Sequence, residues 1–239
     1  SLTLGCGSYG KNSVSKNVSA INLINIKTVA KRRNNMQWFK LPPKIFFEKN
    51  SLQYLQKMEN VERVMLVCDP GMVQFGYADI VRKELQKRKN DVKIEVFSDV
   101  EPNPSTNTVY AGTKMMVDFQ PDTVIALGGG SAMDAAKCMW AFYEHPELKF
   151  EDIIEPGSLP ELRKKAKFVG IPSTSGTASE ITAFSVITDT EKHIKYPLVS
   201  DHIVPDIAIV DPVLPSKMPK SVTANTGMDV VAHATEALV

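Results

Sequence analysis

The sequence predicts an α/β fold with an open, mainly parallel sheet, followed by the start of a second, all-helical region. Three observations carry that prediction. From about Leu41 onward, apolar runs of strand length alternate with segments of helical period, the pattern of parallel strands joined by crossover helices. One strand runs directly into Gly128-Gly129-Gly130 and then into a helix. Another runs into a loop made almost wholly of Ser, Thr, Gly and Ala, from Ser173 to Ser179.

In chain order, residues 1–40 are rich in Ser, Asn, Gly and Lys, with an apolar patch at Ile21 to Ile26 and a Lys31-Arg32-Arg33 run. They read as a linker or docking arm. Past Leu41-Pro42-Pro43, Val61 to Cys68 is the first buried strand, Asp69-Pro70-Gly71 a turn, and Met72 to about Lys87 one amphipathic helix. Val92 to Phe97 is the next strand. Asp99 to Thr106 is a proline-punctuated loop, and Asn107 to Phe119 is a helix leading into the strand Thr123 to Leu127. The glycines break that strand, and Ser131 to Tyr143 is helical. Lys167 to Ile171 is a further strand. Phe184 to Thr188 and His193 to Val199 flank Asp189-Thr190-Glu191-Lys192 as a hairpin, and Asp206 to Val210 is a short last strand. Ser221 to Val239 opens the helical region, so the expected organisation is 1–40 arm, 41–220 α/β domain, 221–239 start of a helical domain. With Ser1 first and a helix still running at Val239, the chain reads as a piece of a longer protein.

Composition narrows the partners. Lys+Arg 28 against Asp+Glu 27 gives a net charge of +1, too balanced to steer the chain toward nucleic acid or a membrane surface. The longest apolar runs are far shorter than a membrane span and no signal peptide is recognisable at the start, so a cytoplasmic protein acting on a small molecule is expected. Three cysteines, Cys6, Cys68 and Cys138, are widely spaced without a CxxC pair. They read as buried free thiols rather than a disulfide framework or a thiolate zinc site.

Three local signals suggest chemistry, each with a plainer alternative. A strand, a glycine turn and a helix present backbone N–H groups and a positive helix end to a phosphate. The spacing is not the dinucleotide fingerprint, because Met133 stands where its third glycine or alanine belongs. The plainer alternative is a capping box, with Ser131 capping the helix and Asp134 returning the bond. Asp69 ends the first expected strand at the sheet edge where ligands collect. A carboxylate there would accept hydrogen bonds from a ribose and repel a 2'-phosphate, whereas Asp-Pro-Gly also makes a simple turn. Asp229 and His233 are four apart, so on a helix they share one face. A carboxylate with an imidazole suits Fe(II), Zn or Mn, but two ligands alone do not hold a catalytic ion, and a surface ion pair has the same spacing.

The words around these signals resemble the iron-dependent, group III alcohol dehydrogenases. ALGGGSAMDAAK (Ala126 to Lys137), IPSTSGTASEIT (Ile171 to Thr182) and TGMDVVAHATEA (Thr226 to Ala237) each look like a signature segment of that family. With Asp69 and Pro102-Asn103-Pro104 they extend the resemblance from about Leu41 to the end of the chain. TLGCGSYGKNSVSKNVSAINLINIKTVAKRR, before it, looks like the tail of a CoA-acylating aldehyde dehydrogenase module, the join found in bifunctional aldehyde-alcohol dehydrogenases. Cys6, in its Gly-Cys-Gly setting, does not match that module's nucleophile segment.

The resemblance implies a sheet domain of the dehydroquinate synthase-like type that binds NAD. Asp69 and Asn103 would contact the adenosine side, and Gly129, Gly130, Ser131 and Asp134 would surround the pyrophosphate. Ser173, Thr174, Thr177 and Thr182 would reach the pyrophosphate and the nicotinamide ribose, with Lys195 beside that ribose. Asp229 and His233 match the first two ligands of an Fe(2+) ion, zinc being the alternative, and the two remaining histidines would lie beyond Val239. The implied reaction reduces acetaldehyde to ethanol, in a homo-oligomer or filament of the full-length protein, and the fragment alone would bind NAD without turnover. No residue is assigned as the proton relay. A zinc-type glycerol or polyol dehydrogenase of the same superfamily, and an assembly segment without chemistry, are the competing readings.

Overall fold

Alternation of apolar residues sets the central strands. Val64, Leu66 and Cys68 face one side of the sheet and Met65 and Val67 the other, and all five are completely buried, as expected of a parallel strand covered on both faces. The computed structural model describes residues 40–237. Nearly all of the expected N-terminal arm, including its basic run and Cys6, lies outside the described residues.

The strands are β1 (Lys44–Phe46), β2 (Arg63–Cys68), β3 (Lys93–Phe97), β4 (Thr123–Gly128), β5 (Lys167–Pro172), β6 (Phe184–Asp189), β7 (Ile194–Val199) and β8 (Ile207–Ile209). The helices are α1 (Pro70–Gln74), α2 (Tyr77–Gln86), α3 (Thr106–Phe119), α4 (Gly130–Glu144) and α5 (Lys220–Ala237). Six strands form one sheet in the order β1-β8-β5-β4-β2-β3. Every neighbouring pair in it is parallel. β6 and β7 pair antiparallel as a separate hairpin. The predicted open parallel α/β fold is therefore observed.

One core layer packs α3, α4 and the hairpin against Met65, Val67, Val124, Ala126 and Phe168. The opposite layer packs α2 and a 3-10 turn at Ser51–Gln56 against Val64, Leu66, Ile125, Val169 and Ile171. Trp140 on α4 is fully buried, stacks obliquely on Phe168 at 5.2 Å and donates its indole N–H to Ala166 O at 3.1 Å. Among the described residues no helix is long and apolar enough to cross a membrane.

Three local readings are corrected. The helix expected from Met72 to Lys87 is two helices, because Gly76 adopts φ 78 between α1 and α2, a left-handed conformation that interrupts a helix and costs glycine little. A short edge strand, β1, was not anticipated. The capping box at Ser131 is absent: Gly129 is the N-cap and no side chain caps it. The helix starts two residues earlier than the box needs, so Asp134 falls in the second turn and its carboxylate goes elsewhere.

Candidate nucleotide cleft and metal-ligand pair

Strand order places the site. β2 connects outward to β3 on one side while β4, β5 and β8 extend to the other, so the chain reverses direction between β2 and β4. In open α/β sheets a crevice forms outside the carboxyl ends of strands at such a point. Asp69 follows β2 and Gly128 ends β4. A cleft of about 460 Å³ opens there, lined by Asp69, Gly129, Gly130, Ser131, Ser173, Thr174 and Thr177 from the sheet side, and by Leu214, Val222 and Thr226 opposite.

The two loops at its base interlock. Gly128 takes φ 149, and a Cβ there would lie 2.7 Å from Ala132 Cβ and 3.1 Å from Asp69 Oδ2. Only glycine fits both the conformation and the space. A Cβ on Gly129 would meet Thr174 Oγ1 at 3.2 Å, and one on Gly130 would meet Thr177 Cγ2 at 2.9 Å. Ser173 N donates to Gly128 O at 2.9 Å, closing the pair of loops from below. Ala178 holds φ 52 in the same hydroxyl-rich loop, the left-handed region that non-glycine residues occupy at a cost of about 1 kcal/mol or more. Because no side chain caps α4, its first N–H groups remain free toward the cleft, an arrangement suited to an anion.

Asp69 caps α1: its Oδ1 accepts from Gly71 N at 2.9 Å. The turn and the ligand readings of Asp69 are thus compatible, since one oxygen makes the cap and the residue still lines the cleft. Asn103, with φ 57, donates its N–H to Ser131 Oγ at 3.3 Å and accepts from Lys195 Nζ at 2.7 Å. The proline loop, the start of α4 and the hairpin therefore meet at one corner.

Asn103, Asp134, Thr182 and Lys195 are not among the residues lining the cleft. Asp134 accepts from Ser179 Oγ at 2.8 Å and Val186 N at 3.1 Å, and Ser185 Oγ donates to Asp134 O at 2.8 Å. Burial pushes the Asp134 carboxyl up, against those hydrogen bonds. Thr182 receives Lys137 Nζ on its carbonyl at 2.8 Å.

Two residues of this region escaped sequence reasoning. Lys137 is fully buried, and burial pushes its ammonium down to about 8 while the nearby Asp134 and Glu180 carboxyls resist that fall. Glu101 lines the cleft and accepts from Ser105 N at 2.8 Å and Thr108 Oγ1 at 2.6 Å. Partial burial works against its charged form, but those hydrogen bonds outweigh it and hold the group below the ordinary carboxylate range. The one signal for Lys137 was a basic residue set among alanines and a cysteine on a helix whose other charges are Asp134 and Glu144.

On α5, His233 Nε2 lies 3.7 Å from Asp229 Oδ1, with both side chains over a third exposed. The donors share a face, as the spacing predicts, and their chemistry fits a borderline divalent metal. Among the described residues no third His, Cys, Asp or Glu joins them in a metal-binding group. Gly176, at the tip of the hydroxyl-rich loop, sits against the same helix: a Cβ there would lie 3.0 Å from Thr226 Cβ and 3.2 Å from Thr226 O. Cys68 and Cys138 are free and buried, as expected.

A parallel α/β sheet with its cleft at the strand reversal, followed by a helix bearing an Asp/His pair, defines the general class. Comparison with known proteins makes it particular: residues 42–212 match the family model "Iron-containing alcohol dehydrogenase", and the chain belongs to that family. An aldehyde-alcohol dehydrogenase of Streptococcus pneumoniae is 56% identical over 247 residues, covering 100% of this chain and 28% of that protein. An NADPH-dependent butanol dehydrogenase of Clostridium saccharobutylicum is 50% identical, covering 85% of this chain and 52% of that protein. Among solved structures, the iron-containing alcohol dehydrogenase of Thermococcus thioreducens superposes with a TM-score of 0.74 at 32% identity, covering 82% of this chain and 52% of that one. The chain thus spans between about a quarter and a half of the length of these relatives.

Proposed function

We propose that this chain is the NAD(H)-binding part, residues 41–220, and the first metal-ligating helix, 221–239, of an iron-dependent alcohol dehydrogenase within a bifunctional aldehyde-alcohol dehydrogenase. The observation that carries the reading is the interlocked pair of loops at the β2/β4 reversal, with an uncapped helix start and the Asp69 carboxylate on either side. Gly129, Gly130 and Ser131 would take the diphosphate on backbone N–H groups, with Ser173, Thr174 and Thr177 donating hydroxyls from across the cleft. Asp69 would accept the adenosine ribose hydroxyls, Asn103 would sit beside it, and Lys195, held by Asn103, would lie toward the nicotinamide ribose. Asp134 and Thr182 would support these contacts through the hydrogen bonds that tie α4 to the loop and the hairpin.

Asp229 and His233 would supply two ligands to the iron. When bound, the nicotinamide supplies hydride and the metal polarises the substrate oxygen, for which the proposed reaction is acetaldehyde to ethanol. Residues 1–40 belong, in this reading, to the tail of the aldehyde dehydrogenase module; the match to the Streptococcus pneumoniae protein runs through them. The family resemblance also leads us to propose a cytoplasmic homo-oligomer.

Cofactor choice is the sharpest test. Fluorescence titration of the purified chain with NADH and NADPH should show tighter binding of NADH, and Asp69→Ser should shift the preference toward NADPH by about tenfold, roughly 1.4 kcal/mol. Equal affinity of the unaltered chain for both cofactors would overturn the assignment of Asp69. The isolated 239-residue chain should bind NADH without catalysis, and ethanol-dependent NADH formation by it would refute the two-ligand argument.

A further inference from the structure

A cation removed from water costs several kcal/mol even after the protein relaxes, and helix packing alone would accept Met or Leu at position 137. Lys137 nevertheless sits in the middle of α4 with no exposed surface, flanked by the buried Cys138 and Ala136. Its ammonium donates to Thr182 O at 2.8 Å and Phe184 O at 2.9 Å, and reaches Thr182 Oγ1 at 3.4 Å and Ser179 Oγ at 3.5 Å. The charged groups that face it are Asp134 from its own helix and Glu180 from the loop. All four of its hydrogen-bond acceptors lie within residues 179–184, the irregular stretch joining the hydroxyl-rich loop to β6.

That loop is held at two ends by different means. Its first half, Ser173 to Thr177, rests on the glycine turn through backbone bonding and close approach. Its second half has Lys137 drawing two backbone carbonyls toward α4, while Asp134 takes Ser179 Oγ and Val186 N. The hairpin that follows carries Lys195 to Asn103. Releasing the Lys137 anchor frees the path from Ser179 to the hairpin and leaves the glycine turn untouched.

We propose that Lys137 is a positioning residue that sets the nicotinamide-side half of the cleft, through Thr182 and the β6–β7 hairpin, without touching the cofactor. The inference rests on the NAD(H) reading given above.

The test compares two ligands on the whole chain: NADH, and ADP, which lacks both the nicotinamide and its ribose. Calorimetric titration of Lys137→Met should weaken NADH by about tenfold and ADP by less than about twofold. Lys137→Gln keeps two N–H donors for the two carbonyls and should recover part of the NADH loss, which a purely space-filling role would not produce. Equal loss for both ligands, or no loss for either, overturns the proposal. If Lys137→Met does not fold, Lys137→Gln carries the same comparison: about threefold selective weakening of NADH supports the proposal and a ratio near one overturns it. Failure of the unaltered chain to bind NADH would instead remove the proposed function, and this inference with it.

Discussion

Gly130→Ala adds one methyl group where the two loops of the cleft touch. Its carbon would lie 2.9 Å from Thr177 Cγ2 and 3.2 Å from Thr177 Oγ1, whereas carbon atoms prefer about 3.5–4.0 Å. Something must retreat by about 0.6–1 Å. The helix cannot, because α4 is pinned by Trp140 against Phe168 and by a buried face running from Ala132 to Glu144. Thr177 is exposed and on a loop, so the loop moves and the cleft changes shape. Overpacking of this kind costs about 1–3 kcal/mol. Because the strain falls on a surface that binds rather than on the core, it should appear in affinity, as about 5- to 150-fold weaker NADH binding. Stability should barely change, since alanine also favours the helical state over glycine by up to about 1 kcal/mol. Fluorescence titration with NADH, paired with a thermal melt, reads both quantities. NADH affinity within about twofold of the unaltered chain would refute the claim that the loops are in limiting contact.

Glu144→Ala tests a buried carboxylate that accepts from Lys164 N at 2.8 Å, Lys165 N at 2.9 Å and Ala166 N at 2.9 Å just before β5. Ala166 and Glu144 are both buried, so leaving these N–H groups without an acceptor should cost about 2–4 kcal/mol. That should lower the melting temperature by about 5–15 °C, and a drop under about 2 °C would contradict it. Lys137 also predicts a pH dependence. Burial lowers it from 10.5 to about 8, so between those values the unfolded chain binds more protons than the folded one. By linkage, stability then rises with pH across that window and the contribution is flat below it. Urea unfolding of the unaltered chain and Lys137→Met should diverge in favour of the unaltered chain from about pH 8 to 10.5; a constant difference would show that the buried ammonium does not titrate there.

Most of the sheet was legible because its central strands, β2, β4 and β5, are almost wholly buried runs bounded by glycine, proline or polar turns, and burial on both faces leaves a strong signal. β1 left almost none: Lys44-Ile45-Phe46 is three residues long and lies at the sheet edge. The break at Gly76 was hidden because the apolar period continues across it, and a single left-handed residue does not disturb a hydrophobic pattern. Ser131 misled because Ser-x-x-Asp fits a capping box, whereas the extended Gly129 starts the helix earlier. Seven of the expected cofactor residues line one cleft, since loops that follow adjacent parallel strands emerge on the same edge. Asp134, Thr182 and Lys137 could not be sorted into lining and support from sequence, because their partners lie tens of residues away and only the fold brings them together.

The meeting of Gly176 with Thr226 ties the two halves of the proposed chemistry to a single missing carbon. Thr226 precedes Asp229 by three residues, about 4.5 Å along the axis, so the depth to which α5 settles on the loop bears on how far its carboxylate and imidazole stand from the cleft. A side chain at position 176 would have to push Thr226 aside, so a residue with no side chain acts as the gauge of that separation.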